Sequence, residues 1–308
     1  MPIPICVIGS SNTDMVVKAV KLPAPGETVI GGTFLMNPGG KGANQAVAAA
    51  RLGGEVTFVA RVGNDIFGKQ ALGQFQREGI RSEFVMTDAE QPSGVALIAV
   101  DAQGENSIVV APGSNAHLDE RQVSAALSTL AAPTLVLLQL EIPLASVEAA
   151  VRLSHEKGLR VILNPAPAQS LPAGLLRHLY LITPNETEAE LLTGIRVTDP
   201  DTAEQAALRL REMGVPNVVI TLGAKGAYLR TDNEARLIPA PPVTATDTTA
   251  AGDCFNGALA VALSEDQPLA EAVAFACKAA SISVTRMGAQ ASLPQRREVD
   301  EVALVMMR

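Results

Sequence analysis

The stretch TLVLLQLEIPLASVEAAVRLSHEKGLRVILNPAP, Thr134–Pro167, decides the fold. It opens on a short apolar strand, TLVLLQL, and turns through the Pro-containing LEIP. An amphipathic helix follows in LASVEAAVRLSHEKG, and RVILNPAP is a second strand. Two strands joined by a crossover helix lie parallel in one sheet. The alternation continues outward in both directions. ICVIGS is a buried strand, EVTFVARVG a strand and FGKQALGQFQREG a helix. LYLITPN is a strand, ETEAELLTG and DTAEQAALRLREMG are helices, and NVVITLG is a strand. The expected architecture is a three-layer α/β/α domain with a mainly parallel central sheet covered on both faces. Ligands in such sheets bind beyond the carboxyl ends of the strands. The loops of interest are therefore GSSNTD, LEIP, NPAPA, TPNETE and TLGAKG, with SNTD read as a polar turn.

One segment breaks the alternation. SGVALIAVDAQGENSIVVAPG, residues 93–113, is two β-rich runs joined by a polar turn, which is a hairpin pattern. Together with the Pro- and Gly-broken piece at about 15–38, it is read as a small sheet projecting from the body. The chain is otherwise one domain over 1–308, with a lid formed by about 15–38 and 93–112. It shows no internal repeat, low-complexity tract or interdomain linker.

Composition narrows the function. The chain has 308 residues, 47% apolar and 18% charged, as an ordinary globular protein has. Its net charge of −8 and lack of basic runs argue against nucleic acid or an anionic membrane as partner. No apolar run approaches the ~20 residues of a membrane span, and MPIPICVIGS lacks the pattern of a signal peptide. Three cysteines without C-x-x-C spacing fit a reducing cytoplasm.

Several familiar motifs fail. Gly40-Lys41 is followed by Gly42, so no P-loop is present, and no G-x-G-x-x-G follows the first strand. His117, His155 and His178 lie far apart without H-E-x-x-H, which argues against zinc; His155 and His178 are placed on solvated helix faces.

Two stretches hold. In GGKGANQAVAAARLGG, Lys41 and Asn44 open a helix, and the glycines crowding the turn suggest a ligand close to the backbone. In TATDTTAAGDCFNGALAVAL, Phe255, Ala258, Leu259, Ala262 and Leu263 fall at helical spacing, so a helix begins near Gly252. Small residues before it leave the first amides free for an anion. Asp253 lies in that first turn, where the positive helix end is expected to keep it ionised and a weak base. An anion hole beside a carboxylate suits phosphoryl transfer to a hydroxyl.

These residues resemble the ribokinase family of carbohydrate kinases, the phosphofructokinase-B type. GGKGANQAVAAARLG and DTTAAGDCFNGALA match its two signatures. GSSNTD, PGET, QLEIP, LNPAPA, TPNETEAELLTG, TLGAKG and VTRMGAQASLP extend the match over essentially the whole length. The resemblance implies ATP-dependent phosphorylation of D-ribose at the 5-hydroxyl, giving ribose 5-phosphate and ADP at the start of ribose catabolism.

It also implies roles. Asn12, Asp14, Gly40, Lys41, Asn44 and Glu141 would hold the sugar, and Asp253 would be the base. The amides of Ala250, Ala251 and Gly252 would form the anion hole. Asn185 and Glu188 would organise Mg2+ and phosphate, while Thr221, Gly223, Gly226 and Cys277 would line the ATP site. A K+ site would use Asp247, Thr249, Ser283, Arg286, Gly288 and Ser292, mostly through carbonyls. Cys277 stands where the family often has histidine, and plain helix packing explains it as well. Lids of two subunits pair in the family, which implies a homodimer.

Deoxyribose is the nearest alternative substrate. A buried Asn12 favours ribose, because its amide would be left unpaired without a 2-hydroxyl. Adenosine or pseudouridine as acceptor is disfavoured by two tyrosines, seven phenylalanines and no tryptophan for stacking a base. A non-catalytic sugar or nucleotide sensor could dispense with Asp253 and Glu188, yet both are present.

Overall fold

The structure is a computed structural model that describes residues 2–306. Its strands are β1 (Ile5–Ile8), β2 (Asn12–Lys18), β3 (Thr33–Gly39), β4 (Val56–Gly63), β5 (Arg81–Asp88), β6 (Gly94–Val100) and β7 (Asn106–Ala111). They continue as β8 (Leu135–Leu138), β9 (Arg160–Leu163), β10 (Leu181–Ile182), β11 (Asn217–Thr221), β12 (Ala227–Arg230) and β13 (Ala235–Ile238). The helices are α1 (Lys41–Arg51), α2 (Ile66–Arg77), α3 (Glu120–Ser128), α4 (Leu144–Glu156) and α5 (Ala173–Leu176). The rest are α6 (Glu186–Thr193), α7 (Pro200–Glu212), α8 (Ala251–Ser264), α9 (Leu269–Ser283) and α10 (Arg296–Met306).

Nine strands form the main sheet in the order β13-β12-β11-β10-β9-β8-β1-β4-β5. All neighbours are parallel except the edge, where β12 runs antiparallel to β11 and to β13. Period-2 alternation splits the core in two. Ile5, Val7, Leu135 and Leu137 pack on the face carrying α1 and α8, whereas Cys6, Ile8, Val136 and Leu138 pack on the opposite face. Every one of these side chains is fully buried, so each strand reads as an unbroken apolar run. The strand order reverses direction at β1, which pairs with β4 on one side and β8 on the other. Loops after β1 and β8 therefore meet over a crevice at the carboxyl edge.

The second sheet has the order β3-β2-β6-β7. Its hairpin, β6 with β7, lies where SGVALIAVDAQGENSIVVAPG predicts one. SNTD is not a turn: Asn12, Thr13 and Asp14 are the first residues of β2, paired with Gly39, Pro38 and Asn37 of β3. The chain leaves β1 through Gly9–Ser11 and enters the second sheet directly, because Asn12–Lys18 finds partners on both sides. RSEFVMTD (β5), α3, the β12–β13 edge and α10 were not expected from the sequence. Among the described residues, no helix is long and apolar enough to cross a membrane.

Candidate active site

The Gly-rich turn before α1 is shaped by the protein itself. Gly40 has φ 87°, open to glycine at no steric cost. A Cβ on it would lie 2.6 Å from the Asn12 amide nitrogen, and one on Gly42 would lie 2.6 Å from the Gly9 carbonyl carbon. On the Cβ side of these glycines the space is filled by the chain leaving β1. Close approach lets Ser10 and the N-terminus of α1 share one acceptor. Glu141, after β8, accepts from Ser10 Oγ at 2.6 Å and from the Lys41 backbone N–H at 3.0 Å, both on Oε2.

Asp253 sits in the first turn of α8 and is 6% exposed. Asn44 Nδ2 donates to its Oδ2 and Gln45 Nε2 to its Oδ1, each at 2.9 Å. Gln45 also donates to Asn164 Oδ1 at 3.0 Å and accepts from Gln139 Nε2 at 2.6 Å. The chain of bonds continues along the strand ends. Asn164 Nδ2 donates to the Thr183 carbonyl, Thr183 Oγ1 to Asn256 Oδ1, and Asn256 Nδ2 to the Gly252 carbonyl. A buried network therefore ties the carboxylate to the loop that precedes it.

Burial raises the Asp253 carboxyl above its ordinary range, against the pull of Lys41 and the bonds from Asn44 and Gln45. Removal from water thus works against the ionisation expected from the helix end. Asp14 is pushed up to about 6, first by burial and then by Glu141 and Asp253. Burial lowers Lys41, but Asp253, Glu141, Glu188 and Asp14 together raise it further. One ammonium thus stands among four carboxylates. Asn12 is 8% exposed, and its Oδ1 accepts from Asn115 Nδ2 at 2.7 Å.

Ala250, the residue capping α8, has φ 58° and ψ 16°, a left-handed conformation unusual for alanine. Strain of this kind clusters at functional loops. The Ala251 amide donates to the Thr248 carbonyl at 3.2 Å, while the amides of Ala250 and Gly252 have no acceptor among the described residues. Nothing lies within 4 Å of a Cβ placed on Gly252, so the approach to this helix end is open.

Asn185 and Glu188 form a capping box on α6: Asn185 Oδ1 accepts from the Glu188 N–H and Glu188 Oε2 from the Asn185 N–H. N-x-x-E therefore has a structural job as well, leaving Glu188 Oε1 outside the box. Burial raises the Glu188 carboxyl despite Asn185 and Lys41. Asn185 bridges Thr221 at the end of β11, and a tight turn over Gly223–Lys225 follows. Gly223 and Gly226 have φ 55° and 104°. Cys277 lies 3% exposed in the apolar core with α8, its thiol pushed up to about 12 by burial, as packing alone requires.

Asp247 ties two loops. Its Oδ1 accepts from the Thr249 N–H and hydroxyl, and its Oδ2 accepts from the Gly288 N–H at 2.8 Å. Burial would raise its carboxyl, but these bonds lower it. The carbonyls of Asp247, Thr249, Arg286, Gly288 and Ser292 accept nothing among the described residues. The Ser283 carbonyl instead accepts from the Arg286 N–H, and the Arg286 guanidinium pairs with Glu298. A cleft of about 610 Å³ joins this loop to the second sheet, lined by Asp14, Asn37, Asp247, Thr248, Thr249 and Gly288.

Gln45, Asn115, Gln139, Asn164 and Asn256 escaped the sequence reading, although Gln45 and Asn256 lie inside the two quoted signatures. His155 and His178 are not separate: their ring centroids lie 4.2 Å apart with the planes tilted by 41°, His178 following α5 rather than riding on a helix face. No group of three or more potential metal-binding side chains occurs among the described residues.

Residues 3–296 match the pfkB family of carbohydrate kinases. A ribokinase of Haemophilus influenzae is 46% identical over 295 residues, 96% of this chain and 96% of that protein. A solved ribokinase of Thermotoga maritima is 40% identical, with TM-score 0.90 over 98% of this chain and 99% of that one. A ribokinase of Arabidopsis thaliana, solved with ribose and ATP, is 33% identical, with TM-score 0.87 over 98% and 99%.

Proposed function

The chain belongs to the pfkB family of carbohydrate kinases, and from that premise we propose that it transfers the γ-phosphoryl group of ATP to the 5-hydroxyl of D-ribose. The observation that carries the reading is the pairing of a buried Asp253, held by Asn44 and Gln45, with an open helix end at Gly252. Asn12, Asp14, Gly40, Lys41, Asn44 and Glu141 surround the sugar. Asp253 accepts the 5-hydroxyl proton as the new bond to phosphorus forms, and ADP leaves. Its raised carboxyl makes it a better base than a surface aspartate. The amides of Ala250 and Gly252 are ready donors for the charge on the transferring group; that of Ala251 joins them only by releasing Thr248.

The residues fit the two implied metals. Glu188 is a buried carboxylate with one oxygen outside its capping box, a group that a cation would stabilise, and Asn185 stands beside it. Bound there, Mg2+ would neutralise phosphate charge. The free carbonyls of Asp247, Thr249, Arg286, Gly288 and Ser292 suit a monovalent cation such as K+, which would stiffen the loop before α8; Ser283 fits through its side chain more readily than its carbonyl. Thr221, Gly223, Gly226 and Cys277 are proposed to border the nucleotide. Pairing of two copies through the lid is supported by the exposed apolar side chains of Val17, Phe34, Met36, Leu97 and Val109 on its outer face. Buried free cysteines agree with a reducing cytoplasm.

ADP formation with ribose, 2-deoxyribose, fructose and adenosine tests the reading. Ribose is expected to give the highest kcat/KM; turnover of adenosine alone would overturn it.

A further inference from the structure

Asn115 lies in the tight turn Gly113–His117 after β7 and is 1% exposed. It reads the backbone of Ser11 with both ends of its amide: Oδ1 accepts from the Ser11 N–H at 2.9 Å, and Nδ2 donates to the Ser11 carbonyl at 3.1 Å. A backbone N–H can only donate and a carbonyl can only accept, so this pair fixes which end of Asn115 is nitrogen. The same Nδ2 donates to Asn12 at 2.7 Å. The atom of Asn12 that meets it must therefore be oxygen. Both protons of Asn12 Nδ2 are then turned away from Asn115 and are donated in no hydrogen bond among the described residues. Strand β6 leaves room for this bond and for nothing larger: a Cβ on Gly94 would collide with both Asn12 Oδ1 and Asn115 Nδ2.

We propose that Asn115 is a positioning residue for sugar specificity, locking the Asn12 amide so that its N–H donors meet the 2-hydroxyl of the sugar. This deepens the sugar-kinase reading and rests on it. A side chain held in one orientation loses a donor's partner when the hydroxyl is missing; one free to flip can find another partner and discriminates less. Asn115 never touches the sugar. Its effect appears only as a ratio between two sugars, which mere structural support would not move.

The test measures kcat/KM for ribose over 2-deoxyribose, with thermal melts of each variant. Asn115→Asp keeps the acceptor for Ser11 but removes the donor to Asn12, and the ratio is expected to fall about tenfold. Gly94→Ala, which forces the two amides apart from outside the sugar site, is expected to lower it too and serves if Asn115→Asp does not fold. In the Asn12→Ala background, Asn115→Asp is expected to change the ratio no further. An unchanged ratio in Asn115→Asp and Gly94→Ala, with a collapsed ratio in Asn12→Ala, overturns this inference alone. A full ratio retained in Asn12→Ala removes the Asn12 contact to the sugar and this inference with it, whereas failure of the sugar-kinase reading would show as absent ribose turnover in the wild type.

Discussion

At the scale of single residues, the side of the cleft proposed to hold the sugar gathers carboxylates largely held out of water. Asp253→Asn should keep ribose binding by calorimetry and lose about 10²–10⁴-fold in kcat, the usual share of a general base. Because the wild-type carboxyl is raised by burial, its ionised fraction falls early on acidification. The acid limb of the kcat profile is expected above 3.8, the ordinary value for aspartate. Asp14 bears on stability. Its carboxyl moves from 3.8 to about 6, so the folded chain binds that proton more tightly than the unfolded chain. Stability is present at low pH and is lost as pH rises through that window. Asp14→Asn should therefore be more stable in urea at about pH 8, by at most ~3 kcal/mol, with no advantage below about pH 4 and with weaker ribose binding. Asp253 and Asp14 stood out in the sequence through their motifs. Their titration did not, since it depends on burial and on groups as distant as Asn44, 209 positions away from Asp253.

At the scale of elements, the loop Thr244–Ala250 and the helix it feeds act as one device. Asp247 holds the loop to Gly288, and Asn256 holds the Gly252 carbonyl from one turn further on. Activity at fixed Mg2+ and ATP is expected to rise with added K+. Asp247→Ala should flatten that titration and lower kcat about tenfold or more, as misplacement of a charge-stabilising donor does; an unchanged K+ response would remove the cation site. The helices α1, α4, α7 and α8 and the parallel strands between them were readable from periodicity alone. SNTD was not, because four polar residues look like a turn until their partners Gly39–Asn37 and Gly94–Ala96 are known. The glycines around the start of α1 were visible, but what approaches them was not: it is Gly9–Asn12, just after β1, as the 32-residue separation of Gly42 from its partner Ser10 illustrates.

At the scale of the whole molecule, the lid presents two faces. Val16, Leu35, Ile98 and Ile108 look into the cleft. Register and alternation put Val17, Phe34, Met36, Leu97 and Val109 on the other face, where they are 40%, 60%, 45%, 54% and 65% exposed. An apolar stripe of this breadth on a four-stranded sheet marks an interaction surface, and a second copy is the partner we propose. Sedimentation at micromolar concentration should give a dimer, and Val109→Lys a folded monomer with a raised KM for ribose. A wild-type monomer would remove the pairing. The strand β2 carries Asn12 and Asp14 at its start and Met15 and Val17 immediately beyond. With the outer face paired, one seven-residue strand spans the distance from sugar to neighbour. Ligand affinity and subunit affinity are then two readings of a single free energy: whatever factor the sugar adds to association, association returns to the sugar.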